Sequence, residues 1–291
     1  MRRITCINDD NVSIVLGDTF SPFVLTDAEG LYEVRNNLYT NDNTSIDGAA
    51  YQGSVVTKRE ITLSIADKSL SNHQQNRELL YAVFKPASKG RLIYEENGVL
   101  REISYYVESV FVESIPSARP ATISLVCPDP FFTDTGDILI EMAGWEPLFE
   151  FPFEIPASGI EFEQRVNERL KTIQNNSAAE STGMNITLTA IGTVVNPTIE
   201  HVQKNEHITL GSSSRPFTMV SGDQLVISTE DGNKHAYLVR DGVTSNVNYY
   251  MSEDSTFIQL RRGMNSIGYS AEEGESYIMV SIAFRYKYLG V

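Results

Sequence analysis

Hydrophobic and polar residues alternate with a period of two through most of this chain. In 58–65, Ile61, Leu63 and Ile65 fall on one face, and in 121–127 Ile123, Leu125 and Cys127 alternate with Thr122, Ser124 and Val126. That is the spacing of half-buried strands. Val12, Ile14 and Leu16 repeat it ahead of a turn at Gly17-Asp18, and residues 23–25 and 31–34 are predicted strands on either side of a turn at 27–30. The polar run 36–48 reads as a loop of about a dozen residues. One segment has a helical period instead: Leu79, Leu80, Val83 and Phe84 form a stripe over a predicted helix near 71–85. Ser69 or Ser71 can cap it and Pro86 stops it. Residues 90–94 and 99 onward read as a hairpin about Glu95-Glu96-Asn97-Gly98, since Asn-Gly favours the positive φ of a two-residue turn. The last strand of this part ends in Pro128-Asp129-Pro130, where two prolines remove ladder donors. Domains are therefore predicted at 1–130 and 131–291.

The second part is predicted to be nearly all β. Residues 149–173 fit either period: Ile160, Phe162 and Val166 suit a strand, whereas Val166, Leu170 and Ile173 suit a helix, with Ser158 and Glu161 placed like a capping box. After Gly183, strands are predicted at 186–191, 198–202, 206–210, 224–228, 236–239, 257–260, 266–269 and 277–284. Turn signals at Gly192, Asp231-Gly232, Asp241-Gly242 and Gly263 come at the spacing of a β-sandwich. The fold class expected is mainly β, with a barrel- or sandwich-like first domain carrying one helix and a β-sandwich second domain.

Charge narrows the partners. The 291 residues carry a net charge of −15, about −5 of it before residue 130 and about −10 after it. The longest basic runs are Arg2-Arg3 and Arg261-Arg262, so specific nucleic-acid binding is not expected. An acidic channel through which DNA slides without sticking is compatible with this field. Cys6 and Cys127 sit in apolar strand-like segments and read as buried free thiols. No apolar h-region follows the N-terminus and no apolar run approaches 18 residues, so synthesis in a cytosol without membrane insertion is expected.

Candidate chemistry is sparse. His201 and His207 are six apart with no nearby cysteine, which matches no common zinc spacing, and both are expected at the surface or at strand edges. In 42–48, Thr44 and Ile46 occupy positions where a calcium loop needs oxygen ligands. Adjacent acids such as Glu95-Glu96 and Glu272-Glu273 read as solvated turn residues. Trp145 and Tyr249-Tyr250 could stack sugars, which leaves a carbohydrate-binding face as the alternative function. No catalytic, cofactor-binding or metal-ligating residue is predicted.

The ordered motifs then carry a resemblance. IDGAAYQG, KREITLSIAD, NRELLYAVF and ATISLVCPDPFF, in this order, resemble the N-terminal domain of the distal tail proteins of long-tailed, non-contractile bacteriophages (the siphophage tail-component family). GTVVNPTIEH, GDQLVISTEDG, FIQLRRGMNSIGYSA and the terminal FRYKYLGV resemble the galectin-like C-terminal sandwich of the same proteins, with Phe257 where many relatives have tryptophan. On this resemblance Asn167 to Leu170 reads as a turn between strands rather than as a helix.

The resemblance implies a structural protein of the virion tail tip that forms a hexameric ring. It would join the tail tube to the baseplate hub or tail-associated lysin, pass DNA through its lumen and offer its second domain to receptor-binding proteins or fibres. A six-fold ring uses a head-to-tail contact, so each subunit must present two different patches. The loop bearing Asn36, Asp42 and Gly48, and the hairpin bearing Tyr94, Asn97, Gly98 and Tyr106, are the candidate subunit-interface residues. No cofactor is implied. A phage, a prophage and a tail-derived bacteriocin would share such a hub.

Overall fold

A computed structural model describes residues 2–42, 47–69, 71–113, 119–147 and 163–291, with the side chains of 143–147 and 163–167 outside the description. The chain divides into two compact units, 1–135 with 287–291, and 136–286. The boundary falls a few residues after the Pro-Asp-Pro bracket, and the last five residues return to the first unit.

The first unit opens with β1 (Arg3–Asn8), β2 (Ser13–Leu16) and β3 (Phe23–Glu29). It continues with β4 (Asn36–Asp42), β5 (Ala49–Val56), β6 (Arg59–Asp67) and the helix α1 (His73–Val83). β7 (Lys89–Glu96), β8 (Val99–Val112), β9 (Pro120–Cys127) and β10 (Phe132–Thr133) complete this stretch. The main sheet runs β2-β1-β7-β8-β9-β6-β3, so β2 and β3 are its two ends and it does not close into a barrel. Alternation decides which face is buried: Ile61, Leu63 and Ile65 of β6 and Ala121, Ile123, Leu125 and Cys127 of β9 all lie in one apolar core. Leu80 and Val83 of α1, and Phe84 just after it, join it, as their stripe predicts. The 14-residue β8 pairs with β7 through its first half and with β9 through its second, past a bulge between Val107 and Ser109.

Three predictions for this unit are corrected. β3 runs unbroken through Asp27 to Glu29, because a bulge between Leu25 and Asp27 keeps it on β6; the turn is at Gly30, and 31–34 is not a strand. The predicted loop 36–48 is half strand, since β4 finds a partner in β5. The start of α1 is not capped by a serine side chain. Ser69 accepts from the Asn72 amide just before the helix, and Asp67 ties the first turn down by accepting from Asn76 Nδ2 at 2.8 Å.

The second unit contains β11 (Ile138–Pro147), β12 (Glu163–Asn167), β13 (Leu170–Asn175), β14 (Ser181–Thr182) and β15 (Asn185–Ala190). After these come β16 (Val194–His201), β17 (Glu206–Thr209), β18 (Thr218–Met219), β19 (Gln224–Ser228) and β20 (His235–Arg240). β21 (Val243–Asn246), β22 (Leu260–Arg261), β23 (Gly263–Glu273) and β24 (Ile278–Phe284) end the series. Seven strands form one sheet, β12-β11-β24-β15-β19-β20-β21, and β13-β23-β16-β17 form a second, with β18 beside β16. Ile186, Leu188, Val280 and Ile282 from the first share a core with Ile199, Ile208, Ile267 and Tyr269 from the second. This is a two-sheet sandwich.

The helical alternative for Val166, Leu170 and Ile173 does not hold, because β12 and β13 occupy this stretch and pair with β11 and β23; its earlier part, 149–162, lies outside the described residues. Only Leu260 of the predicted strand 257–260 is in a strand. Ile258 is buried without ladder partners there, so burial rather than pairing produced the apolar pattern. β11 carried too irregular a pattern to be predicted. Last comes β25 (Lys287–Tyr288), which pairs with β10 in the first unit.

Candidate assembly surfaces

Among the described residues β4 and β5 pair only with each other, from Asn36 opposite Val56 to Asp42 opposite Ala49, with a bulge between Tyr39 and Thr40. Almost every residue of the pair is exposed, including the large apolar ones: Leu38 at 65%, Tyr39 at 53%, Tyr51 at 65% and Val55 at 57%. The alternation of a ladder sends adjacent residues to opposite faces, so Leu38 and Tyr39 put apolar surface on both sides. Asn36 stands at the base, while Asp42 and Gly48 flank the tip, and all three are exposed. The shaft is uncharged apart from Asp42 and Asp47. At its root the Thr57 amide donates to Arg35 O at 2.9 Å, with ion pairs from Arg35 to Glu33 and from Lys58 to Glu60 on either side.

The second candidate hairpin closes as its Asn-Gly signal predicts. Glu96 faces Val99, and Asn97 and Gly98 take φ of 52° and 81°, the pair of positive values a type I′ turn needs. Its four candidate residues do not form one patch. Tyr106 pairs with Lys89 at the far end of the ladder, on the order of 25 Å from the tip at strand rise. Tyr94 is buried at 2% exposure, with its hydroxyl 2.6 Å from that of Tyr32 and donating to Glu96 Oε2 at 2.7 Å. Burial pushes its phenol pKa up, and the Tyr32 and Glu96 partners push in the same direction. The Arg2 guanidinium lies 5.7 Å and 5.8 Å from the Tyr32 and Tyr94 rings. Tyr94 therefore belongs to the interior; of the four candidates Asn97, Gly98 and Tyr106 are exposed, alongside Val99 and Leu100.

A groove of about 400 Å³ that sequence reasoning missed runs beside α1, over Phe23, Ile65 and Leu80, with Arg77 and Arg119 on its walls. His73 Nδ1 is 2.7 Å from Asp67 Oδ2 in its lining. Burial raises the Asp67 pKa, but donors from His73, Ser69 and Asn76 outweigh it, and the carboxyl sits below its ordinary range. Helical spacing gave no hint of this groove, because Asp67 comes from β6.

In the second unit, Tyr249 is 74% exposed, with the Arg215 guanidinium 4.2 Å from its ring and Tyr250 edge-on at 5.9 Å. Trp145 lies on β11 opposite Arg165; its side chain is outside the described residues. His201 is not at the surface, as its sequence position suggested, but 2% exposed, with Nε2 3.0 Å from Asn265 Oδ1. His201 falls on the inward face of β16 together with Ile199, opposite the buried Ile267 of β23, which buries the residue. His207 faces Asp254 at 3.3 Å. Among the described residues no three His, Cys, Asp or Glu side chains come together to hold a metal ion, and no helix is long and apolar enough to cross a membrane.

The model of the phage tail protein RIFT-related domain matches residues 13–127, and that of the siphovirus-type tail component C-terminal domain matches 177–288. Each covers the strand-rich body of one unit, which makes this a structural protein of a phage tail. The chain belongs to the siphophage distal tail protein family. Among solved structures, the Dit protein (gp 19.1) of phage SPP1, described as a paradigm of the hub adsorption apparatus in phages infecting Gram-positive hosts, superposes with a TM-score of 0.68 at 12% identity, covering 98% of this chain and 99% of that one. Chains of the phage p2 baseplate in its activated conformation, with calcium or strontium, align over 100% of both chains at 9% identity, with TM-scores of 0.57 and 0.55. No curated protein sequence matches significantly.

Proposed function

We propose that this tail-tip protein assembles as a hexameric ring that joins the tail tube to the baseplate hub, and that the β4–β5 hairpin is the arm by which each copy grips the next. The observation that carries this reading is the hairpin itself. An isolated two-stranded ladder with water on both faces is marginal at best, and this one exposes Leu38, Tyr39, Tyr51 and Val55. Covering those side chains against a neighbour removes apolar surface from water and stabilises both. A ring contact of this kind is heterologous, the arm of one copy meeting a different surface of the next. The net charge of −15 suits a lumen along which DNA slides without binding. The tail tube protein, the tail-associated lysin or hub protein, and a receptor-binding protein or fibre are the partners this reading implies. Synthesis would take place in the host cytoplasm before assembly into the virion.

Electron microscopy with light scattering tests the reading on the full chain, alone and mixed with the tail-tube and hub proteins encoded nearby. Six-fold rings are the expected result. A double variant, Tyr39→Ser with Tyr51→Ser, should abolish rings while leaving the melting temperature of the subunit unchanged, because both side chains are exposed. Rings that survive the double variant would remove the arm from the interface. A monomer under every condition would defeat the ring.

A further inference from the structure

Residues 287–291 leave the second unit and lie on the first like a short extended ligand. β25 adds to β10 as an antiparallel strand, Tyr288 opposite Phe132 and Lys287 opposite Thr133. Lys287 Nζ is 2.8 Å from Asp129 Oδ2 and 5.5 Å from the centre of the Phe131 ring. The Tyr288 hydroxyl donates to Asp134 Oδ2 at 3.0 Å, and its ring lies under the Arg101 guanidinium at 3.7 Å. Arg101 is itself 2.6 Å from Asp134 Oδ1, so one carboxylate holds both the tyrosine and the cation that stacks on it. The Leu289 carbonyl accepts from Arg59 Nη2. At Gly290 an added Cβ would stand 3.6 Å from Leu31 O, and Val291 packs against the core of the first unit.

The Arg59 side chain sets the energetics. It is 5% exposed, and among the described residues its hydrogen bonds go to main-chain carbonyls: those of Gly30, Leu31 and Glu33 from Nη1, of Pro130 from Nε and of Leu289 from Nη2. Removing the acceptor of a buried, charged donor is costly unless another replaces it. Of these acceptors, Leu289 alone comes from a segment that follows the second unit in the chain.

We propose that this face of the first unit is an extended-peptide binding site whose ligand is the chain's own segment 287–291. Its ligand class is a five-residue strand with a cation first and a tyrosine second. It binds by adding a strand to β10, with side-chain recognition at Asp129 and Asp134, the mode by which sheet edges commonly take peptides. Because residues 136–286 stand between the site and its ligand, the first unit closes only after the second has been made. Tethering supplies the ligand at high effective concentration, which a free pentapeptide lacks. The inference concerns the fold of the first unit and holds with or without a ring.

Hydrogen–deuterium exchange on the intact chain and on a chain stopped after Tyr286 tests it. Loss of the segment should speed exchange in β6, β8 and β10 by about tenfold or more, while β15 and β24 in the second unit keep their protection. The peptide Lys-Tyr-Leu-Gly-Val added in trans at millimolar concentration should restore protection, and the scrambled Gly-Leu-Val-Lys-Tyr should not. Unchanged exchange in the first unit, equal loss in both units, or equal rescue by the scrambled peptide would each overturn the proposal. Tyr288→Ala in the intact chain provides an independent probe: it should speed exchange in β8 and β10 alone, and no change there would count against the site.

Discussion

Arg59 and Leu289 are 230 positions apart in the sequence, yet the guanidinium of the first donates to the carbonyl of the second. Arg59 also lies 5.0 Å from the centre of the Phe132 ring. The planar fork of arginine can serve several carbonyls at once, whereas the lysine ammonium is a point donor on a flexible stem. Arg59→Lys is therefore expected to destabilise the first unit by about 2–4 kcal/mol, leaving buried carbonyls unserved. Calorimetry should show the first unit melting earlier with the second unmoved. A shift common to both would contradict the assignment of Arg59 to the first unit alone.

Two glycines with the same backbone angle should differ sharply in their tolerance of alanine. Gly30 and Gly98 both have φ of +81°, but a Cβ on Gly30 would sit 2.0 Å from Glu60 O, while one on Gly98 meets nothing within 4 Å. Gly98→Ala should cost about 1–2 kcal/mol from the left-handed conformation alone. Gly30→Ala adds overpacking against backbone, about 1–3 kcal/mol more. Denaturant titration of the two variants gives the order, and an equal cost would show that β6 yields at Glu60.

Acid should weaken the second unit through Asp223. Its carboxyl is 2% exposed, accepts from Arg240 Nε at 2.9 Å and from the Val220 amide at 2.8 Å. The Arg240 bond holds its pKa below the usual carboxylate value against the opposing effect of burial. A folded-state pKa below the unfolded one, near 3.9, gives stability that is present above about pH 4 and lost as pH falls through the folded value. Asp223→Asn should cost about 1–2 kcal/mol at neutral pH, because Arg240 is partly exposed and screened. The variant should also flatten the fall in the second unit's melting temperature below pH 4. An acid limb as steep as the wild type's would assign that loss to other carboxylates.

Neither cysteine should react in the folded protein. Both are buried free thiols, and burial pushes Cys127 up to about 12 and Cys6 further still. Alkylation proceeds through the thiolate, so iodoacetamide at pH 8 should leave the native mass unchanged and add two carbamidomethyl groups in denaturant. An adduct on the native chain would mean that β1 or β9 opens on the labelling timescale.

The sequence by itself determined the β character of both units, because burial on one face of a strand imposes a period of two that survives in β6, β9, β15 and β24. It also determined α1 from its apolar stripe and the β7–β8 turn from Asn97-Gly98, both products of local chain geometry. The interface candidates were legible only as polar or hairpin segments. The sequence does not reveal that Tyr94 turns inward to Tyr32 or that Asn36 begins a strand, since each outcome depends on a partner distant in the chain. Bulges lie beyond periodicity for the same reason: Asp27 stays in β3 because β6 is there to pair with it. The tertiary structure alone decided that β4 and β5 stand apart as an exposed pair. It alone placed 287–291 on the first unit, where Arg59 draws carbonyls from three separated stretches of chain. A buried cation whose donors go to main-chain carbonyls is satisfied only by what folding brings to it, and alternation along a strand carries no record of that.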